Sequence, residues 1–430
     1  MASRLIPLGA LCALAGLLIA APPSGLAAEA AGPQDKTVTL TLEEALNRTL
    51  THGPELLAVM EELRAVEAEV VLAGRLPDPE LSVTLENVAG DGVYQGSDAG
   101  ELTIELSQPI ELGGKRRLRR EAAELGRQLA TNEQKLAQAV VLAATRQRFI
   151  ATLSAQEKLA LAKEQAEVAA KTLAAAEERI KAGKAPAIDR VRLQGQVNLA
   201  NLAVSQAERT LLTTRQELAS SWNSSQVDFE QVEGDLGVLP NVPPWYALDA
   251  TLEQTAAAIN WRIATALRGV ELEQARASRI PDPSVTVGWR QFNESDESAW
   301  LFGISMPLPL FSLGQESVVA ASSRYHSAKA SEANDRNQAR VTLLSAWQAL
   351  ADARAEAEVL DSQVVPAAVE GFAAADFGYR AGKFGLLELL DAQRSLFEAR
   401  QHQLKARTDC HLAAIELQRL QGVETATATH

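Results

Sequence analysis

Glu388 and Asp391 stand three residues apart just after the Ala381-Gly382-Lys383 turn, a spacing that puts both carboxylates on one face of a helix. In water two such charges about 6 Å apart repel by on the order of 0.7 kcal/mol, and more where water is restricted, so the pair attracts cations. The matching positions after the earlier Ala182-Gly183-Lys184 turn hold Asp189 and Arg192, and an arginine there can pair with either carboxylate. A solvated helix face, or acids complementing a helix N-terminus, is the plainer reading of the same residues. Other chemistry is sparse. No Walker loop, Gly-x-Ser-x-Gly or His-Glu-x-x-His occurs, and His52, His326, His402, His411 and His430 lack ligand spacing. Cys410-His411 beside His402 comes nearest to a metal cluster, yet adjacent helical residues point apart. The sequence therefore implies no enzyme, no cofactor and no resident metal.

The elements that position these residues are long helices. The chain has 430 residues, 47% hydrophobic but only 4% aromatic, a composition that suits seams of small and aliphatic side chains. A net charge of −14 lacks the basic footprint of a nucleic-acid binder. Two long helical stretches, from about Leu112 to Ala182 and from about Leu313 to Ala381, predict rods on the order of 100 Å. In the first, Leu118, Leu125, Leu129, Leu136 and Val140 recur at coiled-coil spacing. After the turn Val197, Val204, Leu211 and Leu218 recur every seven, with Ala200, Ala207 and Thr214 three places on. Glu121, Arg127, Lys135 and Arg146 punctuate the first rod, which excludes a lipid span.

The chain is written twice. Arg75-Leu76-Pro77-Asp78-Pro79 returns as Arg279-Ile280-Pro281-Asp282-Pro283, and the Gly183-Lys184 turn returns as Gly382-Lys383. Each half carries two segments of period two, the mark of strands. Leu81, Val83 and Leu85 alternate with polar residues, as do Leu102, Ile104 and Leu106; later Val285, Val287 and Trp289 do so, then Trp300, Phe302, Ile304 and Met306. The corners Pro77, Pro79, Pro109, Pro281, Pro283 and Pro307 mark where helix changes to strand and back. Four strands cannot close a barrel alone, and an open apolar-faced sheet would leave backbone groups unsatisfied in lipid, so several chains must share it. A soluble sheet with its apolar face on a helix is the alternative.

Arg4, the apolar run Leu5 to Ala21 and Ala28-Glu29-Ala30 read as a secretory signal cleaved after Ala30, with Ala27 or Ala28 as neighbouring options. Lipidation at Cys12 would need a small residue where Leu11 stands. The expected organisation is then a signal peptide at 1–30 and a first repeat at 31–226, with a hairpin at about 81–110 and rods at about 112–224. A Gly- and Pro-rich linker follows at 227–247. The second repeat is 248–422, with a hairpin at about 284–308 and rods at about 313–420, and 423–430 is a polar tail.

An exported acidic chain with two such halves resembles the TolC-like outer-membrane factor family. Ser107-Gln108-Pro109-Ile110-Glu111-Leu112-Gly113-Gly114-Lys115-Arg116 is similar to the strand-to-helix corner of its CzcC-like branch, which serves heavy-metal efflux pumps of the resistance-nodulation-division type. Tyr379-Arg380-Ala381-Gly382-Lys383 with Leu389-Leu390-Asp391-Ala392-Gln393 resembles the family's turn and Leu-Asp-Ala-Gln signature. The resemblance implies a mixed α and β fold: a homotrimer with a shared 12-stranded transmembrane β-barrel and a periplasmic coiled-coil tunnel. It implies that Glu388 and Asp391, with Asp189 and Arg192 opposite, form the periplasmic gate, and that Gly183, Lys184, Gly382 and Lys383 meet a periplasmic adaptor. Apolar strand faces would meet outer-membrane lipid, with Trp289, Phe292 and Trp300 in an interfacial belt, while Glu86, Glu101, Glu105 and Arg290 line the lumen. The implied function is passive conduction, most simply of divalent metal cations, from an inner-membrane resistance-nodulation-division transporter to the exterior. Efflux of drugs or organic solutes, type I protein secretion, and a soluble periplasmic adaptor or scaffold are the alternatives.

Overall fold

The computed structural model describes residues 39–89, 91–308 and 314–422. The expected signal peptide, Cys12 and the polar tail lie outside these residues. The first repeat opens with β1 (Thr39–Leu40), α1 (Leu42–His52) and α2 (Pro54–Ala73). Thr41 caps α1 by accepting from Glu44 N–H, and Pro54 takes the first position of α2, where its missing N–H costs nothing. Next come β2 (Glu80–Glu86), β3 (Glu101–Pro109), the 67-residue α3 (Lys115–Lys181) and α4 (Ile188–Ser220). After β4 (Gln231–Val232) and α5 (Trp245–Thr251), the second repeat runs through α6 (Ala256–Ala277), β5 (Ser284–Phe292), β6 (Glu297–Ser305), α7 (Gln315–Val359), α8 (Val365–Arg380) and α9 (Leu386–Gln421). Among the described residues no helix is long and apolar enough to cross a membrane.

The strands form one antiparallel sheet in the order β2-β3-β5-β6, leaving β2 and β6 as its edges. Register decides which residues share a face. Leu81, Val83 and Leu85 stand opposite Leu106, Ile104 and Leu102, and Val287 and Trp289 stand between Leu106 and Ile104 on one side and Phe302 and Trp300 on the other. Apart from Phe292 and Leu301, the large apolar residues of the four strands therefore occupy one face, and that face is the open one: Leu81 is 67% exposed and Phe302 81%, whereas Thr103 on the opposite face is 2% exposed.

The rods pack through small side chains. In α3 the buried seam is Ala155, Ala162, Ala169 and Ala176, every seven residues, and in α4 it is Leu193, Ala200, Ala207, Leu211 and Leu218. Alanine at such positions lets helix axes approach closely. The α4 seam follows the expected spacing, but Val140 of the expected α3 seam faces solvent. The second rod is not one continuous α-helix. A π-helical turn, Leu360–Val364, separates α7 from α8 just before Pro366. Proline has no N–H and its ring would meet the Ser362 carbonyl in α geometry, so the backbone widens there. Asp361 in this turn accepts from Gln403 at 2.8 Å and Arg407 at 3.1 Å, both on α9.

The Gly- and Pro-rich stretch between the repeats is packed rather than free. β4 pairs in parallel with β1, Gln156 of α3 exchanges two hydrogen bonds with the Val232 backbone, and Phe229, Val232 and Leu236 enter a core with Phe149, Leu153 and Leu218.

Candidate functional site: rod tips, lumen face and corners

At the rod tips the same turn closes both helical hairpins. Gly183 and Gly382 adopt φ of 69° and 74°, a left-handed geometry that side-chain-bearing residues disfavour. The following N–H reaches back over the turn, Lys184 to the Arg179 carbonyl and Lys383 to the Gly378 carbonyl, each at 2.8 Å. Lys184 and Lys383 are exposed.

Glu388 and Asp391 lie in the first two turns of α9, exposed and without an ion pair among the described residues. The Glu388 carboxylate leans back toward the helix start, close enough that a Cβ on Gly385 would stand 2.7 Å from its Oε2. It thus also complements the positive end of the α9 dipole. Asp189 is buried in the first turn of α4, while Arg192 one turn on is exposed and makes no ion pair among the described residues. The Arg192 pair with Glu388 or Asp391 is absent from the single chain.

A different contact joins the two hairpins. The Arg179 guanidinium donates to the Tyr379 carbonyl and stands over the Tyr379 ring at 4.4 Å. Tyr379 packs with Ala176, Leu193, Ala375, Leu386 and Leu389, which binds α3, α4, α8 and α9 into one tip. Its hydroxyl is buried with no hydrogen-bond partner among the described residues, as is Gln393 Oε1 on the same tip. Burial raises the Tyr379 hydroxyl above its usual pKa; Arg179 opposes the rise and the Asp189 carboxylate adds to it. Sequence reasoning misses Arg179, because its partner lies 200 residues away and no spacing rule spans that distance.

On the polar face of the sheet, Arg290 ties three strands together. It pairs with Glu101 at 3.0 Å and Glu86 at 3.3 Å and donates to Thr103 Oγ1 at 2.9 Å. Glu105, one pair deeper, has no ion pair among the described residues. Its side chain lies across Gly288, where a Cβ would meet Glu105 Cγ at 2.8 Å. Phe292 stands opposite Glu101 on this polar face, so the expected belt is corrected: Trp289 and Trp300, which face each other in register, lie on the other side of the sheet.

At the corners, Gln108 donates to the carbonyls of Pro77 at 2.9 Å and Pro109 at 3.0 Å, and Ile110 N–H donates to the Pro283 carbonyl at 2.8 Å. Asp282, between Pro281 and Pro283, accepts from Leu112 N–H at 2.8 Å and Lys115 Nζ at 2.7 Å. Its counterpart Asp78, between Pro77 and Pro79, is exposed and makes no such bond among the described residues. Pro307, after β6, is exposed too.

Among the described residues no group of three or more His, Cys, Asp and Glu is arranged to hold a metal ion. Cys410 is fully buried beside Leu343 and Leu350, His402 is exposed, and the His411 ring stands 3.3 Å from the Leu236 carbonyl. Burial lowers the His411 pKa.

The sequence model of the family described as outer membrane efflux protein matches residues 45–224 and 254–423. The chain is 32% identical over 394 residues to the cobalt-zinc-cadmium resistance protein CzcC of Cupriavidus metallidurans, covering 92% of this chain and 91% of that one. It is 28% identical to the nickel and cobalt resistance protein CnrC of the same organism, over 72% of this chain and 73% of that one. The fold is shared with the outer membrane protein VceC of Vibrio cholerae, with a TM-score of 0.76 at 18% identity over 89% of this chain and 96% of that one.

Proposed function

The chain belongs to the outer membrane efflux protein family, and from that premise we propose that it is the outer-membrane channel of a tripartite pump, passively conducting divalent heavy-metal cations from the periplasm to the exterior. The observation that carries the reading is the sheet. Its apolar face is the exposed one, its polar face is sheltered along the central strands β3 and β5, and its edges β2 and β6 are open. In water such a face would aggregate, and in lipid such edges would leave backbone groups unsatisfied. Three copies side by side remove both problems by closing a 12-stranded barrel, with lipid outside and Glu86, Glu101, Glu105 and Arg290 inside. The rods continue below as a tunnel through the periplasm.

In this reading Glu388 and Asp391 of three chains crowd the inner mouth, where six negative charges draw cations in and repel one another. Arg192 of a neighbouring chain relieves that repulsion in the closed state, and buried Asp189 helps set the tip. The exposed turns Gly183-Lys184 and Gly382-Lys383 dock on a periplasmic adaptor, through which an inner-membrane transporter supplies the energy. The resistance proteins to which the chain is similar carry cobalt, zinc, cadmium and nickel in their names, which supports metal cargo.

Deleting the gene and measuring cellular zinc, cobalt and cadmium tests the cargo. Raised metal content with unchanged dye and detergent tolerance is the expected result. Dye sensitivity with normal metal content would keep the channel and replace its substrate with organic solutes. Full solubility of the mature chain without detergent would sink the barrel itself.

A further inference from the structure

The two rods are built differently. The first, α3, is one unbroken helix of 67 residues, whereas the second changes at Leu360–Val364, where the Val365 N–H reaches back to the Leu360 carbonyl. Such a π-turn is a place where a rod can bend. Asp361 ties it to α9 by accepting from Gln403 and Arg407. Arg407 also lies against the linker between the repeats: a Cβ on Gly237 would stand 3.5 Å from its Nη1 and 3.0 Å from Asp235 Oδ1, which already accepts from the Gly237 N–H at 2.7 Å.

The linker is gripped at the next residue back. Leu236 is fully buried, its N–H is turned to the Glu157 carboxylate of α3, and its carbonyl stands 3.3 Å from Nε2 of His411 on α9. Both partners can change charge. With its proton on Nε2, neutral His411 satisfies that carbonyl; a second proton would go to Nδ1, which has no partner among the described residues. The charges around this peptide are Glu157 from α3, Asp235 from the linker, Arg407 from α9 and Asp361 from the π-turn. On α7, Arg354 pairs with Glu358 and holds the Pro240 carbonyl farther along the linker, at 2.7 Å.

We propose that Leu236 and its two partners form a proton-sensitive clasp: with His411 neutral the linker holds α9 and, through Arg407 and Asp361, the π-turn, and when His411 takes up a proton the clasp loosens and the second rod is freer to bend at that turn. The sign follows from burial. Burial lowers the His411 pKa against the Leu236 carbonyl and Asp235, so the clasp is firm above the ordinary histidine value of about 6.5 and weakens as pH falls below it. Glu157 runs the other way. Burial, with Asp235, raises its pKa against Arg407 and the Leu236 N–H, so falling pH favours the clasp at this group, and weakening by acid belongs to His411.

Amide exchange of the full chain purified from membranes, read at Leu236, Gly237 and the Leu360–Val364 turn after correction for the intrinsic effect of pH, tests the clasp. From about pH 7 to about pH 5 protection in the parent should fall by more than about twofold at both places. H411Q, whose amide can donate to the Leu236 carbonyl but takes no proton, should hold its protection across that range, and E157Q should still weaken with acid. In R407M the linker should loosen with acid while the turn no longer follows. A parent with the same linker protection at both pH values, or an H411Q that loosens as the parent does, overturns the clasp. Loss of the acid response in E157Q overturns His411 as its sensor, and a parent turn that ignores pH while the linker responds overturns the link to the rod. Only the bearing of the clasp on conduction rests on the channel reading; exchange is read whether or not the chain conducts, so the two fail separately.

Discussion

Replacing Asp282 by asparagine probes the corner that joins the sheet to the first rod. The carboxylate accepts from Leu112 N–H at 2.8 Å and from Lys115 Nζ at 2.7 Å, with the lysine side chain 20% and the aspartate 30% exposed. A hydrogen bond to a charged group contributes about 1.5–3 kcal/mol, and partial exposure favours the lower end. The asparagine side chain keeps an acceptor for Leu112 but loses the charge pair, so D282N should cost about 1–1.5 kcal/mol per chain; D282A, which strands the Leu112 N–H and leaves Lys115 Nζ only the Ile280 carbonyl, should cost about 2–3 kcal/mol. K115M keeps most of the lysine stem and removes only the ammonium, so a K115M/D282N cycle should return a coupling of about 1 kcal/mol. The pH dependence has a definite sign. Burial pushes the Asp282 carboxyl up, but hydrogen bonds from Lys115 and Leu112 and the lysine charge together outweigh it and hold the group below its usual pKa. A depressed carboxyl stabilises above the unfolded pKa of about 3.9, and the contribution is lost as pH falls through the folded value. The gap between parent and D282N should therefore be constant from about pH 5 to 8 and shrink below about pH 4. Urea unfolding of the chain in lipid vesicles, followed by tryptophan fluorescence, measures it. A coupling under about 0.3 kcal/mol, or a gap of the same size at about pH 3, would refute the reasoning.

Neutralising the gate with E388Q and D391N should lower cation selectivity and change single-channel conductance in planar bilayers, and unchanged currents would reject these residues as the constriction. R192A should leave the fold of the single chain intact, because that side chain is exposed and unpaired, yet make cells leak a large antibiotic; leakage equal to the parent's counts against the latch. Y379F should be neutral within about 0.5 kcal/mol, since the hydroxyl it deletes has no partner. R179A removes a carbonyl bond and a ring contact, and should cost about 1–2 kcal/mol and speed amide exchange around the Gly382 turn. Equal exchange in the two variants would remove Arg179 as the tie between the hairpins.

Local pattern explains what is legible beforehand. The alternation of Leu81, Val83 and Leu85 with polar neighbours predicts a strand whatever surrounds it, because successive side chains must point to opposite faces. The turn at Gly382 follows from backbone geometry that few other residues adopt, and the repeated Pro-Asp-Pro corners follow from proline chemistry. Glu388 and Asp391 share a helix face by arithmetic alone. The expected α3 line holds at Leu118 and Leu125, which pack against Val270 and Ala277 of α6, and fails at Val140, which faces solvent; farther along the helix Ala155, Ala162, Ala169 and Ala176 form the buried seam.

Sequence by itself therefore determined the repeat, read from motifs that recur far along the chain, and the strands, the helical stretches and the turns, which depend on residues within a few positions of one another. Tertiary structure alone decided which of two identical motifs is occupied. Asp78 and Asp282 sit in the same Pro-Asp-Pro frame, yet only Asp282 meets a rod from its own chain, because the β3–β5 junction brings α3 to it while β2 lies at an open edge. It likewise brought Arg179 onto Tyr379 and packed Phe229, Val232 and Leu236 into a core. Such contacts join residues far apart along the chain, and their existence depends on the direction in which whole elements leave their corners, a quantity that no local periodicity encodes.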